Sequence, residues 1–104
     1  MRCLILSVAA IASIAAAAPA HAYTVKGAVE CPVILEEHKN EDYRAMNRWW
    51  LLGYITARNY NDNADVSRGI GEHDIYQVAY DYCARNSSSD WDDAAQHVYN
   101  HYRK

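Results

Sequence analysis

From Leu4 to Ala18 the chain is apolar almost without a break, whereas beyond residue 22 apolar and polar positions alternate at intervals of three and four. The contrast predicts an export segment followed by helices. Arg2 precedes the apolar run, Pro19 interrupts it, and Ala20 and Ala22 flank His21. This is the layout of a cleavable secretory signal over residues 1–22, cut after Ala22. The run is shorter than the ~20 residues a membrane span needs, and no stop-transfer charge cluster follows it, so no membrane insertion is expected after cleavage.

Residues 23–30, YTVKGAVE, read as an extended arm. CPVILEEHK then permits a short helix with Pro32 in its first turn. The next helix is the strongest. Asn40 can cap it, Glu41 and Asp42 favour its positive end, and Met46, Trp49, Trp50, Gly53, Ala57 and Tyr60 recur at helical spacing. Leu51, Leu52, Tyr54 and Ile55 widen that stripe. A helix apolar on so many sides is expected to be buried on several of them, with Gly53 admitting a close neighbour. Residues 61–72, NDNADVSRGIGE, form a polar connector. A third helix follows from Ile75, Val78, Ala79, Tyr82 and Cys83, with Asn86 as its stop. The last opens at SSSDWDD, with Ser89 and Asp92 in capping-box register and Trp91, Ala94, Ala95, Val98 and Tyr102 on its apolar face. The pattern predicts a small all-α domain over residues 23–104.

A domain of 82 residues has a small core, and a covalent staple would support it. Beyond the signal only Cys31 and Cys83 remain, an even pair bound for an oxidising compartment, which favours a disulfide over two free thiols or a metal pair. Leaving out Arg2, nine Lys and Arg stand against 13 Asp and Glu, a net charge of −4, which argues against nucleic acid. With every carboxylate and the four remaining histidines protonated, the side-chain charge would reach +13, which permits a pH response. Nine tyrosines and three tryptophans with no phenylalanine suit half-wet positions, either at an interface or in a thin domain whose core lies near its surface.

Catalytic signatures are missing: no G-x-S-x-G, no nucleotide-binding glycine loop, no C-x-x-C and no H-E-x-x-H, so neither an enzyme nor a cofactor is expected. Asn61, Asn63, Asp65 and Glu72 fit part of a calcium-loop template, but Val66 stands where its glycine belongs, and a solvated loop is the reading. Asp93, His97 and His101 follow at steps of four, a row better read as a polar face than as a metal site.

Certain residues carry a resemblance to a known family. Cys31, Trp50-Leu51-Leu52-Gly53-Tyr54 with Asn59, Tyr82-Cys83-Ala84-Arg85-Asn86 and Asp93-Ala94-Ala95 resemble the HdeA/HdeB group of small periplasmic proteins, acid-stress chaperones and their exported relatives. The match spans about residues 31–98. It implies a four- to five-helix periplasmic domain with one disulfide, here Cys31 to Cys83, and a homodimer at neutral pH. In acid such a protein loosens and holds denatured client proteins on an apolar helix surface, which here would be Trp49, Trp50, Leu51, Leu52, Tyr54 and Ile55. Carboxylates near helix starts, among them Glu36, Glu37, Glu41, Asp42, Asp90, Asp92 and Asp93, are then expected to lose their dipole support when protonated. The rival expectation is an immunity or inhibitor protein that binds one partner at neutral pH.

Overall fold

The computed structural model describes residues 26–103; the predicted export segment and residues 23–25 lie outside the described residues. A 3-10 turn at Lys26–Ala28 replaces most of the described part of the expected extended arm. Four helices follow: α1 (Cys31–Glu37), α2 (Glu41–Asp62), α3 (Glu72–Arg85) and α4 (Trp91–Tyr102). Among the described residues the only β-type pairing is an isolated antiparallel bridge between Glu30 and Asp90. The chain is a small all-α domain with one disulfide, as the hydrophobic spacing predicts.

Local chemistry sets the helix ends. Asn40 Oδ1 accepts the backbone N–H groups of Asp42 and Tyr43 at 3.0 and 3.2 Å, satisfying two donors that α2 cannot satisfy itself. At the far end Asn63 adopts φ 50°, a left-handed stop that asparagine tolerates. The cap of α4 lies one residue later than its sequence suggests. Asp90, not Ser89, accepts from the Asp93 N–H at 2.9 Å, and the Asp93 carboxylate accepts from the Asp90 N–H at 3.2 Å. The reason is the bridge: Cys31 N–H donates to the Ser89 carbonyl and Trp91 N–H to the Val29 carbonyl, both at 2.9 Å, which holds Asp90 extended and starts the helix after it. Glu36 and Glu37, expected near a helix start, instead close α1.

One cluster of buried side chains draws on every helix: Cys31 and Ile34, Leu51 and Ile55, Ile75, Tyr76, Ala79 and Cys83, and Trp91 with Ala94, Ala95, Val98 and Tyr99. The Cys31–Cys83 disulfide closes a 52-residue separation inside it, with the Cα atoms 4.9 Å apart. A loop of that length corresponds to about 4 kcal/mol in the chain-entropy account.

The long helix α2 is inverted relative to its apolar pattern. Its buried residues are Asn47, Leu51 and Ile55, whereas Met46, Trp49, Gly53, Ala57 and Tyr60 face solvent. The inward side carries charge, much of it paired, while Asn47 Oδ1 and Arg48 Nε are buried without a hydrogen-bond partner. Arg44 Nη1 donates to the His38 carbonyl at 2.9 Å, and Arg58 Nη1 donates to the Tyr54 hydroxyl at 2.9 Å while its guanidinium lies 4.1 Å from the Tyr99 ring centroid. Asp62, 3.7 Å from Arg58, accepts the Tyr99 hydroxyl at 2.8 Å. Fully buried Asn47 ties three elements together: its Nδ2 donates to Glu37 Oε1 at 3.2 Å, and its backbone carbonyl accepts the Trp91 indole N–H at 3.1 Å. Lys26 Nζ completes the group 2.9 Å from Glu37 Oε1.

The close approach expected at Gly53 occurs at Gly27. A Cβ on Gly27 would lie 2.7 Å from Trp50 Cζ2, whereas one on Gly53 would meet nothing within 4 Å. Gly27→Ala should therefore lower stability by about 1–3 kcal/mol by displacing the Trp50 ring. Gly53→Ala, on an exposed helix position, should raise it by about 0.5–1 kcal/mol. Urea unfolding of the two variants checks both signs.

Candidate functional site: the outward face of the long helix

Between Tyr43 and Tyr60 the exposed residues of α2 are Tyr43, Met46, Trp49, Gly53, Thr56, Ala57 and Tyr60, none of them charged. Trp49 is 63% exposed, Met46 54% and Tyr60 90%. Exposed apolar groups gathered in this way mark an interaction surface more often than scattered ones do. The face arises because the arginines of α2 are used inward, so its outer residues are left with neither charge nor partner. At its N-terminal half, Met46, Trp49 and Trp50 meet Val29 and Lys26 around a groove of about 580 Å³. Gly27 sets one wall: lacking a side chain, it lets the Trp50 ring lie against the 3-10 turn, with Tyr54 stacked at 5.7 Å on the other side.

The six residues expected to bind a client do not form one surface in the folded chain. Trp49 is exposed, Trp50, Leu52 and Tyr54 are half-buried, and Leu51 and Ile55 belong to the core. Leu51 and Ile55 can reach another protein only if the bundle opens. Tyr43 and Val29 complete the outward surface and escaped the sequence reading. Tyr43 continues the three-four spacing of Met46, Trp50, Gly53, Ala57 and Tyr60, the available signal, but apolar spacing alone does not say whether that stripe faces the interior or solvent.

Two histidines hold α3 along opposite seams. His38, just past α1, shares a 2.8 Å hydrogen bond between its Nδ1 and the Tyr76 hydroxyl and lies 4.2 Å from the Tyr80 ring centroid. Burial, with the Arg44 charge second, pushes its pKa below the ordinary 6.5. Burial also raises the Tyr76 phenol to about 12, so that the pair is neutral. On the other seam His97 of α4 stacks on Tyr82 at 4.8 Å, and burial, then His101 and Arg85, lower its pKa from 6.5. A third acid-sensitive contact closes α2 on α4: the hydrogen bonds from Tyr99 and Asn61 hold Asp62 below the ordinary 3.8.

Residues weighed as metal ligands are otherwise engaged. Asn61 donates to Asp62, Asp65 pairs with Arg68 at 2.9 Å, and Glu72 approaches Arg48 at 3.6 Å. The Asp93 carboxylate serves the α4 cap rather than the His97/His101 row. Among the described residues no group of three or more His, Cys, Asp or Glu is placed to hold a metal ion, and no helix is long and apolar enough to cross a membrane.

The sign of the pH response follows from these shifts. A histidine whose folded pKa lies below 6.5 binds its proton more readily when unfolded, so stability is intact above that value and is lost as pH falls through the folded pKa. Asp62 adds a loss below 3.8, where its carboxylate protonates. Urea midpoints should therefore fall in two steps as pH is lowered, the first shrinking in His38→Gln and His97→Gln and the second in Asp62→Asn.

No protein-family model, curated protein or solved structure matches this chain, so its functional reading rests on its own residues and geometry.

Proposed function

We propose that this chain is a non-catalytic, exported protein that holds denatured polypeptides in acid through α2, in the manner of the acid-stress chaperones its motifs resemble. The observation that carries the reading is the uncharged outward face of α2, which shares one helix with the buried Leu51 and Ile55. Exposing those two would extend the outward stripe around the helix without unfolding α2 itself. The histidine seams supply the condition, since protonating His38 and His97 sets a half-buried positive charge against Arg44 on one side of α3 and against His101 and Arg85 on the other. The disulfide would keep α1 and α3 joined while the seams part, and a structural disulfide suits export to an oxidising compartment such as a periplasm. Partners on this reading are unfolded proteins, with a homodimer as the resting form.

A second reading has its own support. The groove formed by Val29, Met46, Trp49 and Trp50 is open in the folded state and requires no acid to form, which suits an immunity or inhibitor protein with one partner at neutral pH. Light scattering separates the two. On the chaperone reading the protein keeps an acid-denatured client in solution at about pH 2, where carboxylates are protonated, and does not do so at neutral pH. Trp49→Ser with Met46→Ser, both exposed and so harmless to the fold, should reduce that protection severalfold. Unchanged scattering of the client in acid, with one protein retained from a periplasmic extract at neutral pH and lost in the double variant, would overturn the chaperone reading in favour of the second.

A further inference from the structure

Gly53 stands near the middle of α2 on its exposed side, and a Cβ there would meet nothing within 4 Å. Glycine weakens a helix interior relative to alanine, and no contact inside this chain requires it at that position. Two other features of the same face flank it at equal distance. Seven residues before Gly53, Met46 lines the open groove of about 580 Å³ that it shares with Trp49, Trp50, Val29 and Lys26. Seven residues after Gly53, Tyr60 stands 90% exposed, more than any other large apolar side chain among the described residues. Seven residues are close to two helical turns, so the three lie in one row, each about 10 Å from the next. The face therefore carries a hole at one end, a projecting ring at the other, and a bare backbone midway between them.

We propose that the groove is filled by Tyr60 of a second copy of this chain, in a two-fold dimer whose α2 helices cross antiparallel at Gly53. A two-fold axis at that crossing sets each residue opposite the one equally far on the other side of Gly53. Met46 then meets the partner's Tyr60, and Trp49 meets the partner's Ala57, so each large side chain finds either the groove or a small neighbour. One operation fills both grooves. A tyrosine suits the place, because its ring packs on the methionine sulfur and the indole while its hydroxyl stays at the open rim. Gly53 facing its own copy lets the two backbones come close. Charge favours the same occupant. Beyond residue 22 the chain has 13 acidic against nine basic side chains, so two copies repel, and the exposed stripe from Tyr43 to Tyr60 lets them meet without opposing like charges. A single helix face is smaller than the roughly 800 Å² per partner of a standard interface, so the dimer forms in the micromolar range. As the resting form of the proposed chaperone this dimer rests on the functional reading above for its role, and on the row along α2 for its geometry.

Sedimentation equilibrium of the full mature chain at neutral pH, with no client present, tests the face. The wild-type chain should dimerise as its concentration is raised. Gly53→Ala should weaken the dimer about tenfold, although it strengthens the isolated helix. Met46→Glu and Tyr60→Lys should each weaken it by about tenfold or more, by placing an unpaired charge in the groove. Combining the two substitutions should give a dimer at least severalfold tighter than either one alone, because position 46 of one copy faces position 60 of the other. Both positions are exposed, and circular dichroism checks that the fold is kept. A chain that stays monomeric, a dimer that Gly53→Ala leaves unchanged, a combined variant no tighter than the single ones, or a groove that retains a different protein while the chain is monomeric would each overturn the assignment. Holding of an acid-denatured client is measured apart by light scattering, so a failed dimer face and a failed chaperone reading are told apart.

Discussion

Everything in this small bundle is arranged around the clamp at Cys31. The disulfide joins the start of α1 to α3, and within two residues of it the chain makes two main-chain hydrogen bonds to the entry of α4, Cys31 to Ser89 and Val29 to Trp91. Three segments distant in sequence are thereby fixed at one point. From there Trp91 reaches across to the Asn47 carbonyl and positions α2, and the preceding 3-10 turn is brought beneath Trp50. A short chain with a limited apolar core gains much from such a point, because most of the entropy cost of bringing its elements together is met locally.

The clamp also explains why α2 faces as it does. With Trp91 bonded to the backbone of Asn47 and Glu37 bonded to its side chain, Asn47 has to point inward, and helical geometry then carries Leu51 and Ile55 in with it. Once that register is set, Trp49, Met46 and Tyr60 have to point out, whatever their hydrophobicity. The result is a helix that, between Tyr43 and Tyr60, turns its arginines inward and leaves an uncharged outer face, the reverse of an ordinary amphipathic surface helix.

In the proposed function, acid sensitivity and binding are joined through the same architecture. His38 and His97 lie in the two seams that hold α3, and Asp62 lies where α2 meets α4, so protonation acts on the packing between helices rather than on the helices themselves. Lowered histidine values in a folded protein mean that the packing disfavours the charged ring, and the same packing is weakened when the ring charges. Helix-start carboxylates can be read from spacing, whereas inter-helix partners such as His38 with Tyr76, His97 with Tyr82 and Asp62 with Tyr99 cannot.

The sequence by itself determined the helices, the disulfide pair and the class of fold. Each of these rests on local rules: three-four spacing, an asparagine or aspartate before a helix, and two cysteines beyond residue 22. The Asn40 cap, the core of α3 and most of the core of α4 were legible for that reason. What only the tertiary structure decided was which side of α2 is inside. Apolar content was high around much of that helix, so spacing could not distinguish the interior from the outer stripe, and the deciding contacts come from residues 44 positions apart, Asn47 and Trp91. The same holds for Gly27, part of an arm by local pattern, against which the Trp50 ring rests. Long-range packing and hydrogen bonding choose among faces that local pattern leaves equivalent, and in this chain that choice places the candidate binding surface.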